Sequence, residues 1–150
     1  DPSEAMAYPG AVQALLKADL IVAGPGSLYT SVLPNLLVPA ITKAIEASQA
    51  RKVYVCNVAT QRGETEGYTV ADHVAALERH IPGLLFPIVV ANDNLAVDFE
   101  APSGVELVSP EVPPDAQYRL VTEDLVDAAH PWRHDSDKLA RALLRLVEDD

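Results

Sequence analysis

Residues 20–37 read LIVAGPGSLYTSVLPNLL, from Leu20 to Leu37. Leu20-Ile21-Val22-Ala23 is a short apolar run of the kind that forms a buried strand. Gly24-Pro25-Gly26 breaks it, because glycine admits backbone conformations that a Cβ forbids. Ser27 can cap the helix that follows, and Pro34 suits a first helical turn. The stretch predicts a strand end, a tight turn and a helix start.

Working outward from it, Pro9 opens a helix through about Lys17, with Val12, Leu15 and Leu16 on one face. Pro39 opens another, with Ile41, Ala44, Ile45 and Ser48 at helical spacing, ending near Gln49. Lys52 to Cys56 is the next strand, followed by a polar loop from Asn57 to Tyr68. Thr69-Val70-Ala71-Asp72 has the form of a capping box, with Asp in the place of Glu or Gln. Val70, Val74, Leu77 and Ile81 behind it mark an amphipathic helix that Pro82-Gly83 stops. Leu84 to Ala91 reads as a third strand, with Asn92-Asp93-Asn94 beyond its end. Helices alternating with strands at crossover length predict an α/β fold, a mainly parallel sheet with helices on its faces. Val105–Val108 and Tyr118–Val121 are candidate short strands around the proline-rich Pro110–Pro114. Asp135 or Ser136 caps a last helix with Leu139, Leu143 and Leu146 turned inward. No linker divides residues 1–150, so they are expected to form a single α/β domain.

Composition narrows the function. The chain has 150 residues, 49% hydrophobic and 22% charged, as in ordinary globular proteins. A formal net charge of −11 argues against nucleic acid, whose phosphates call for a basic face. No apolar run reaches the roughly 20 residues that span a bilayer. There is no basic-then-apolar leader, and the single cysteine, Cys56, permits no internal disulfide. The cytoplasm is therefore the expected compartment. The chain opens on Asp1 and reads as part of a larger protein.

In an open parallel sheet, ligands bind beyond the carboxyl ends of the strands. Three polar clusters fall there. The first is Gly24-Pro25-Gly26-Ser27 with Thr30 and Ser31, whose backbone N–H groups could form an anion nest. It has neither the lysine of the Walker loop nor the spacing of the dinucleotide fingerprint. The alternative is a plain turn whose hydroxyls cap a helix. The second runs from Asn57 to Thr65, with Thr60, Gln61, Arg62, Gly63 and Glu64 between. There Glu64 is a candidate for a ribose hydroxyl, a metal or an ion pair with Arg62. The third is Asn92-Asp93-Asn94. His73 and His80 lie seven apart, not at the spacing of a zinc helix, and no metal site is expected. Arg133-His134 just before the last helix puts a cation where the helix dipole disfavours it, which suggests an anionic partner or a surface ion pair.

Several ordered motifs carry a family resemblance. Ala18-Asp19-Leu20-Ile21-Val22 leading into Gly24–Ser31 and Pro34-Asn35-Leu36-Leu37 resembles the YvcK-like gluconeogenesis factors, relatives of the 2-phospho-L-lactate transferase CofD. Asn57 through Gly63-Glu64-Thr65, Asp72-His73-Val74, Arg133-His134-Asp135 and Lys138-Leu139-Ala140 continue it in order. The family's glycine-rich motif and aspartate-glycine-serine segment do not occur in this sequence, which resembles the C-terminal half of a larger CofD-like domain.

The resemblance implies a Rossmann-like fold with helices on both faces. It implies a cytoplasmic regulatory protein, more a binder than an enzyme, needed for growth and cell shape on gluconeogenic carbon sources. The ligand it implies is a uridine-diphosphate sugar or similar nucleotide, with Arg133 matching an arginine tied to that binding. The ligand-contacting set expected on all these grounds is Gly24, Pro25, Gly26, Ser27, Thr30, Ser31, Asn57, Thr60, Gln61, Gly63, Glu64, Thr65 and Arg133. The alternative the family offers is transfer of a phospholactyl group from a guanosine-diphosphate carrier to a deazaflavin with magnesium. No other cofactor is implied, and homo-oligomerisation stays open.

Overall fold

Alternate residues of each strand feed two separate cores. In β2 (Arg51–Val55), Tyr54 and the following Cys56 join one apolar cluster, while Val53 and Val55 join the other. This split requires a sheet covered on both faces. The computed structural model, which describes residues 5–81, 83, 85–97 and 103–148, has that sheet. Its four strands are β1 (Leu20–Ala23), β2, β3 (Ile88–Asn92) and β4 (Arg119–Glu123), in the order 1-2-3-4 and parallel throughout. The Rossmann-like α/β expectation holds.

One face carries α1 (Pro9–Lys17), α2 (Leu33–Leu36), α3 (Pro39–Ala47) and α4 (Val70–His80). The larger core lies beneath them, with Ile21, Tyr54 and Val89 from the sheet against Leu33, Ile45, Val74 and Leu77. The other face is covered by α5 (Ser136–Glu148), whose Ala142 and Leu146 pack on Val53, Val55 and Val90. Leu139 and Leu143 lie half-buried beside them. An isolated helix of α4's eleven residues would be marginal in water. Burying each Val or Leu stabilises it by about 1.5–3 kcal/mol. Its start is the predicted capping box: Thr69 Oγ1 accepts from Asp72 N, and Asp72 Oδ2 accepts from Thr69 N at 2.8 Å. Asp135 caps α5 in the same way, accepting from Asp137 N and Lys138 N.

Several boundaries differ from the expectation. The third strand begins at Ile88, not at Leu84, which lies outside the described residues together with Pro82. Pro87 has no N–H to give the ladder, so pairing starts after it. Its carbonyl still accepts from Arg119 N. The second strand is shifted one residue, to Arg51–Val55, and α3 stops two residues early, at Ala47. Val105–Val108 adds no strand to the sheet: Leu107 makes an isolated antiparallel bridge with Ala59. Tyr118–Val121 does become a strand, moved to Arg119–Glu123. On α1 no residue is buried and Leu16 is exposed, so its expected apolar face is only partly covered. Among the described residues no single helix is long and apolar enough to cross a membrane.

Candidate functional site

The turn after β1 is built on close approach. Gly24 has φ +84°, and a Cβ there would lie 2.6 Å from the Val55 carbonyl oxygen at the end of β2. Only glycine lets the chain cross β2 at this distance. Beyond Ser27 the backbone winds through a wide π-type turn, Leu28–Val32, into α2.

The loop after β2 then grips this turn. Asn57 Oδ1 accepts from Gly26 N at 3.0 Å, and Asn57 Nδ2 donates to Gly26 O at 3.0 Å. Glu64 Oε1 accepts from Ser27 Oγ at 2.5 Å and from Tyr29 N at 3.2 Å. Thr30 N donates to Ser27 Oγ, while Ser31 N and Val32 N donate to Ser27 O. The N–H groups of Gly26, Tyr29, Thr30, Ser31 and Val32 are therefore all used inside the protein. These N–H groups do not form the open anion nest the glycines suggest, because Ser27 and the Asn57 and Glu64 side chains of the neighbouring loop take them up.

Other expected contacts serve the fold as well. Thr60 is buried and pairs with Glu106, its N–H donating to Glu106 O and its Oγ1 accepting from Glu106 N. Thr65 is fully buried, with Oγ1 accepting from Gln61 N at 2.9 Å. Asn92 is 2% exposed, and its Oδ1 accepts from Leu125 N and Asn94 N. It ties β3 to the segment after β4 and lines no cleft described below. Cys56 is a core residue whose thiol burial pushes up to about 12, so it carries no reactive thiolate at neutral pH.

Between these loops and the segment before α5 lies a cleft of about 680 Å³ at the carboxyl edge of the sheet. Pro25, Gly26, Ser27, Asn57, Thr60, Gln61 and Arg133 of the expected set line it. Ser27 and Gln61 also face a second hollow, with Thr30, Gly63 and Glu64. Gly24 and Ser31 border a third, mainly apolar one behind the turn, and Thr65 lines none of the three. The cleft adds residues outside the expected ligand-contacting set: Arg62, Trp132, His134, Ser136 and Leu139. They converge from distant parts of the chain, so only the Arg133-His134 placement before a helix hinted at them.

The electrostatics of this cleft run against those of the chain. Among the described residues its lining includes Arg62 and Arg133 and no carboxylate, although the net charge is −11. Neither guanidinium forms a hydrogen bond or ion pair among the described residues, and Glu64 does not pair with Arg62. His134 adds no charge at neutral pH. Burial pushes its imidazole down to about 4, against a hydrogen bond with the Cys56 backbone. Its Nε2 is buried without a partner among the described residues. Trp132 stands at the rim, 42% exposed.

Metal chemistry finds little support in these side chains. Among the described residues no group of three or more His, Cys, Asp and Glu gathers at ligating range. His73 is buried with Nδ1 at 2.8 Å from Thr69 O, and His80 Nδ1 lies 2.8 Å from Ala76 O. Neither the cleft lining nor Glu64, held by Ser27 and Tyr29, provides the oxygen set that magnesium takes. The described residues of this cleft do not by themselves fit that ion.

Comparison with known proteins agrees with the fold and the motifs. A family model described as 2-phospho-L-lactate transferase CofD matches residues 1–150. The gluconeogenesis factor of Halalkalibacterium halodurans is 41% identical over 145 residues, covering 89% of this chain and 44% of that protein. That of Bacillus subtilis is 37% identical over 155 residues, covering 99% and 49%. The crystal structure of a UPF0052 family member from Bacillus halodurans superimposes with a TM-score of 0.81 at 36% identity, over 96% of this chain and 49% of that one. The chain thus spans about half the length of the curated relatives it matches. With all 150 residues matched, this chain belongs to the CofD family and has gluconeogenesis factors among its relatives.

Proposed function

We propose that the cleft binds a uridine-diphosphate sugar or a similar nucleotide. On this reading the protein is a cytoplasmic regulator of the gluconeogenesis-factor type, supporting growth and cell shape on gluconeogenic carbon sources, without catalysing a reaction. The observation that carries the ligand class is the lining itself: among the described residues it holds two arginines that make no side-chain hydrogen bond or ion pair, and no carboxylate, in a chain of net charge −11. A diphosphate supplies the anion such a site lacks, and arginine recognises phosphate through paired N–H donors. The volume, about 680 Å³, lies within the usual range for small-ligand sites of about 300–1,000 Å³. The gluconeogenic part of this role rests on the names of the relatives, and the rest on the family resemblance of the motifs.

We also propose that residues 1–150 form one α/β unit of a larger CofD-like domain. Its support is the coverage of about half of each relative, together with a four-stranded sheet in which β1 and β4 are the outer strands.

Calorimetric titration of the full-length protein with UDP-N-acetylglucosamine tests the ligand reading. Binding is expected, weakened about tenfold or more in Arg133→Ala, the scale of one lost charge-assisted hydrogen bond. Absence of binding, or equal affinity in Arg133→Ala, defeats the assignment.

The family-model match favours a second reading, a phospholactyl transferase. Assay of the full-length protein with the guanylated phospholactate, a deazaflavin and magnesium separates the two: sustained turnover supports the transferase, and its absence supports the binder. Magnesium's ligands would then have to come from outside the residues described.

A further inference from the structure

We propose that the cleft continues past Ser27 into a second lobe, formed around Glu64, Tyr29 and Tyr68, that takes the sugar ring of the ligand. The proposal rests on the nucleotide-sugar reading above and adds to it a place for each half of the molecule.

The second hollow measures about 660 Å³, close to the first, and shares Ser27, Gln61 and Arg62 with it. The two differ in chemistry on either side of that ridge. Toward Arg133 the walls include Val58, Val105, Trp132 and Leu139, apolar and aromatic surface suited to a flat, weakly polar ring. Toward Glu64 no aliphatic side chain among the described residues lines the hollow, which is walled by hydroxyls, an amide, one carboxylate, the Arg62 guanidinium and two phenol rings. A ring bearing several hydroxyls needs acceptors and donors together, and this side has both.

Glu64 uses one oxygen, Oε1, on Ser27 and Tyr29 N. Oε2 has no hydrogen-bond partner among the described residues and remains an acceptor for neighbouring hydroxyls of a sugar. The Tyr29 and Tyr68 phenol oxygens are 3.0 Å apart and share one hydrogen bond. Two O–H groups sharing one such bond leave one proton to donate. Their mutual hydrogen bond, with burial, also raises the Tyr29 pKa above its ordinary value, so Tyr29 remains a protonated donor at neutral pH. Arg62 belongs to both lobes and so stands where a charged linkage between base and sugar would cross. The same Glu64 that holds the turn closed thereby sets the floor of the sugar lobe.

The experiment compares the affinities of UDP-N-acetylglucosamine and UDP for the full-length protein, wild type, Glu64→Gln and Tyr68→Phe, with melting curves to establish that each variant is folded. The readout is the ratio of the two affinities. The proposal expects that ratio to fall about fivefold or more in each variant, the effect of one lost hydrogen bond. A ratio within twofold of wild type in both folded variants overturns the lobe assignment while leaving nucleotide binding in place. Should the wild type bind neither compound, the underlying ligand reading falls and this one with it.

Discussion

The two walls of the cleft are built on different principles. The wall made by the Gly24 turn and the Asn57–Thr65 loop is dense with polar groups, yet nearly all of them are engaged with one another. Asn57 holds Gly26 from both its amide atoms, and Glu64 holds Ser27 and Tyr29 N. The wall before α5 has fewer polar groups but leaves the Arg133 guanidinium without a hydrogen bond or ion pair among the described residues. On the proposed reading, polar density at a sheet edge is a poor guide to ligand contact. Unused hydrogen-bonding capacity is a better one, and here it resides in Arg62, Arg133 and the second oxygen of Glu64. Asn57 and Asn92 sharpen the point, since both follow or end a strand at the same edge and both are spent on backbone groups. Only Asn57 also lines the cleft.

If the first wall is scaffold, its loss should appear in stability before it appears in binding. The largest effect is expected for Gly24→Ala, which sets a Cβ against the Val55 carbonyl at a positive φ. Strained backbone together with overpacking should cost roughly 3–5 kcal/mol in urea denaturation. Wild-type stability in that variant would mean that the turn can relax away from β2. Asn92→Ala comes next, at about 2–3 kcal/mol, because Leu125 N loses its acceptor in a buried setting. A loss below about 0.5 kcal/mol would show that water replaces the amide there.

The second wall makes a pH prediction of its own. His134 takes up a proton in the folded state only near pH 4, against an ordinary value of 6.5. The unfolded chain therefore binds more protons between those values, and stability falls as pH falls through that window. From pH 7 to 5 the His134 contribution is about 2 kcal/mol. His73, lowered mainly by burial, adds in the same direction. Denaturation at the two pH values should show a shallower loss in His134→Gln than in wild type, and equal slopes would place the histidine in water. The smallest stability effect belongs to Arg133→Ala. Being exposed and making no ion pair among the described residues, it should change folding by less than about 0.5 kcal/mol while still weakening nucleotide binding. A large loss of stability would make Arg133 a scaffold residue after all.

Much of the fold was legible because local signals agreed with one another. The Thr69–Asp72 capping box lies directly ahead of a helical apolar stripe, and Asp135 stands before the last one. Apolar runs at helical separations gave away the parallel sheet. Differences arise where backbone chemistry overrides hydropathy: Leu85 and Phe86 read as strand by hydropathy, but Pro87 delays the ladder to Ile88. The Val105–Val108 run found its partner in the loop after β2, not in the sheet. At the site, the residue clusters were legible and their roles were not. Sequence cannot tell that Glu64 reaches back 37 positions to Ser27 in preference to its neighbour Arg62. Nor can spacing bring Leu139 and Trp132 opposite Pro25, since that convergence depends on α5 returning across the far face of the sheet.

The central claim is that the two unpaired arginines define an anion site in the cleft beyond β1 and β2. A crystal structure of the full-length protein with UDP-N-acetylglucosamine tests it most directly. The account predicts the diphosphate within hydrogen-bonding distance of Arg62 and Arg133, with the Gly24 turn and its Asn57 and Glu64 bonds unchanged. A diphosphate seated elsewhere, or one held by the N–H groups of an opened Gly24 turn while both arginines face solvent, would contradict it.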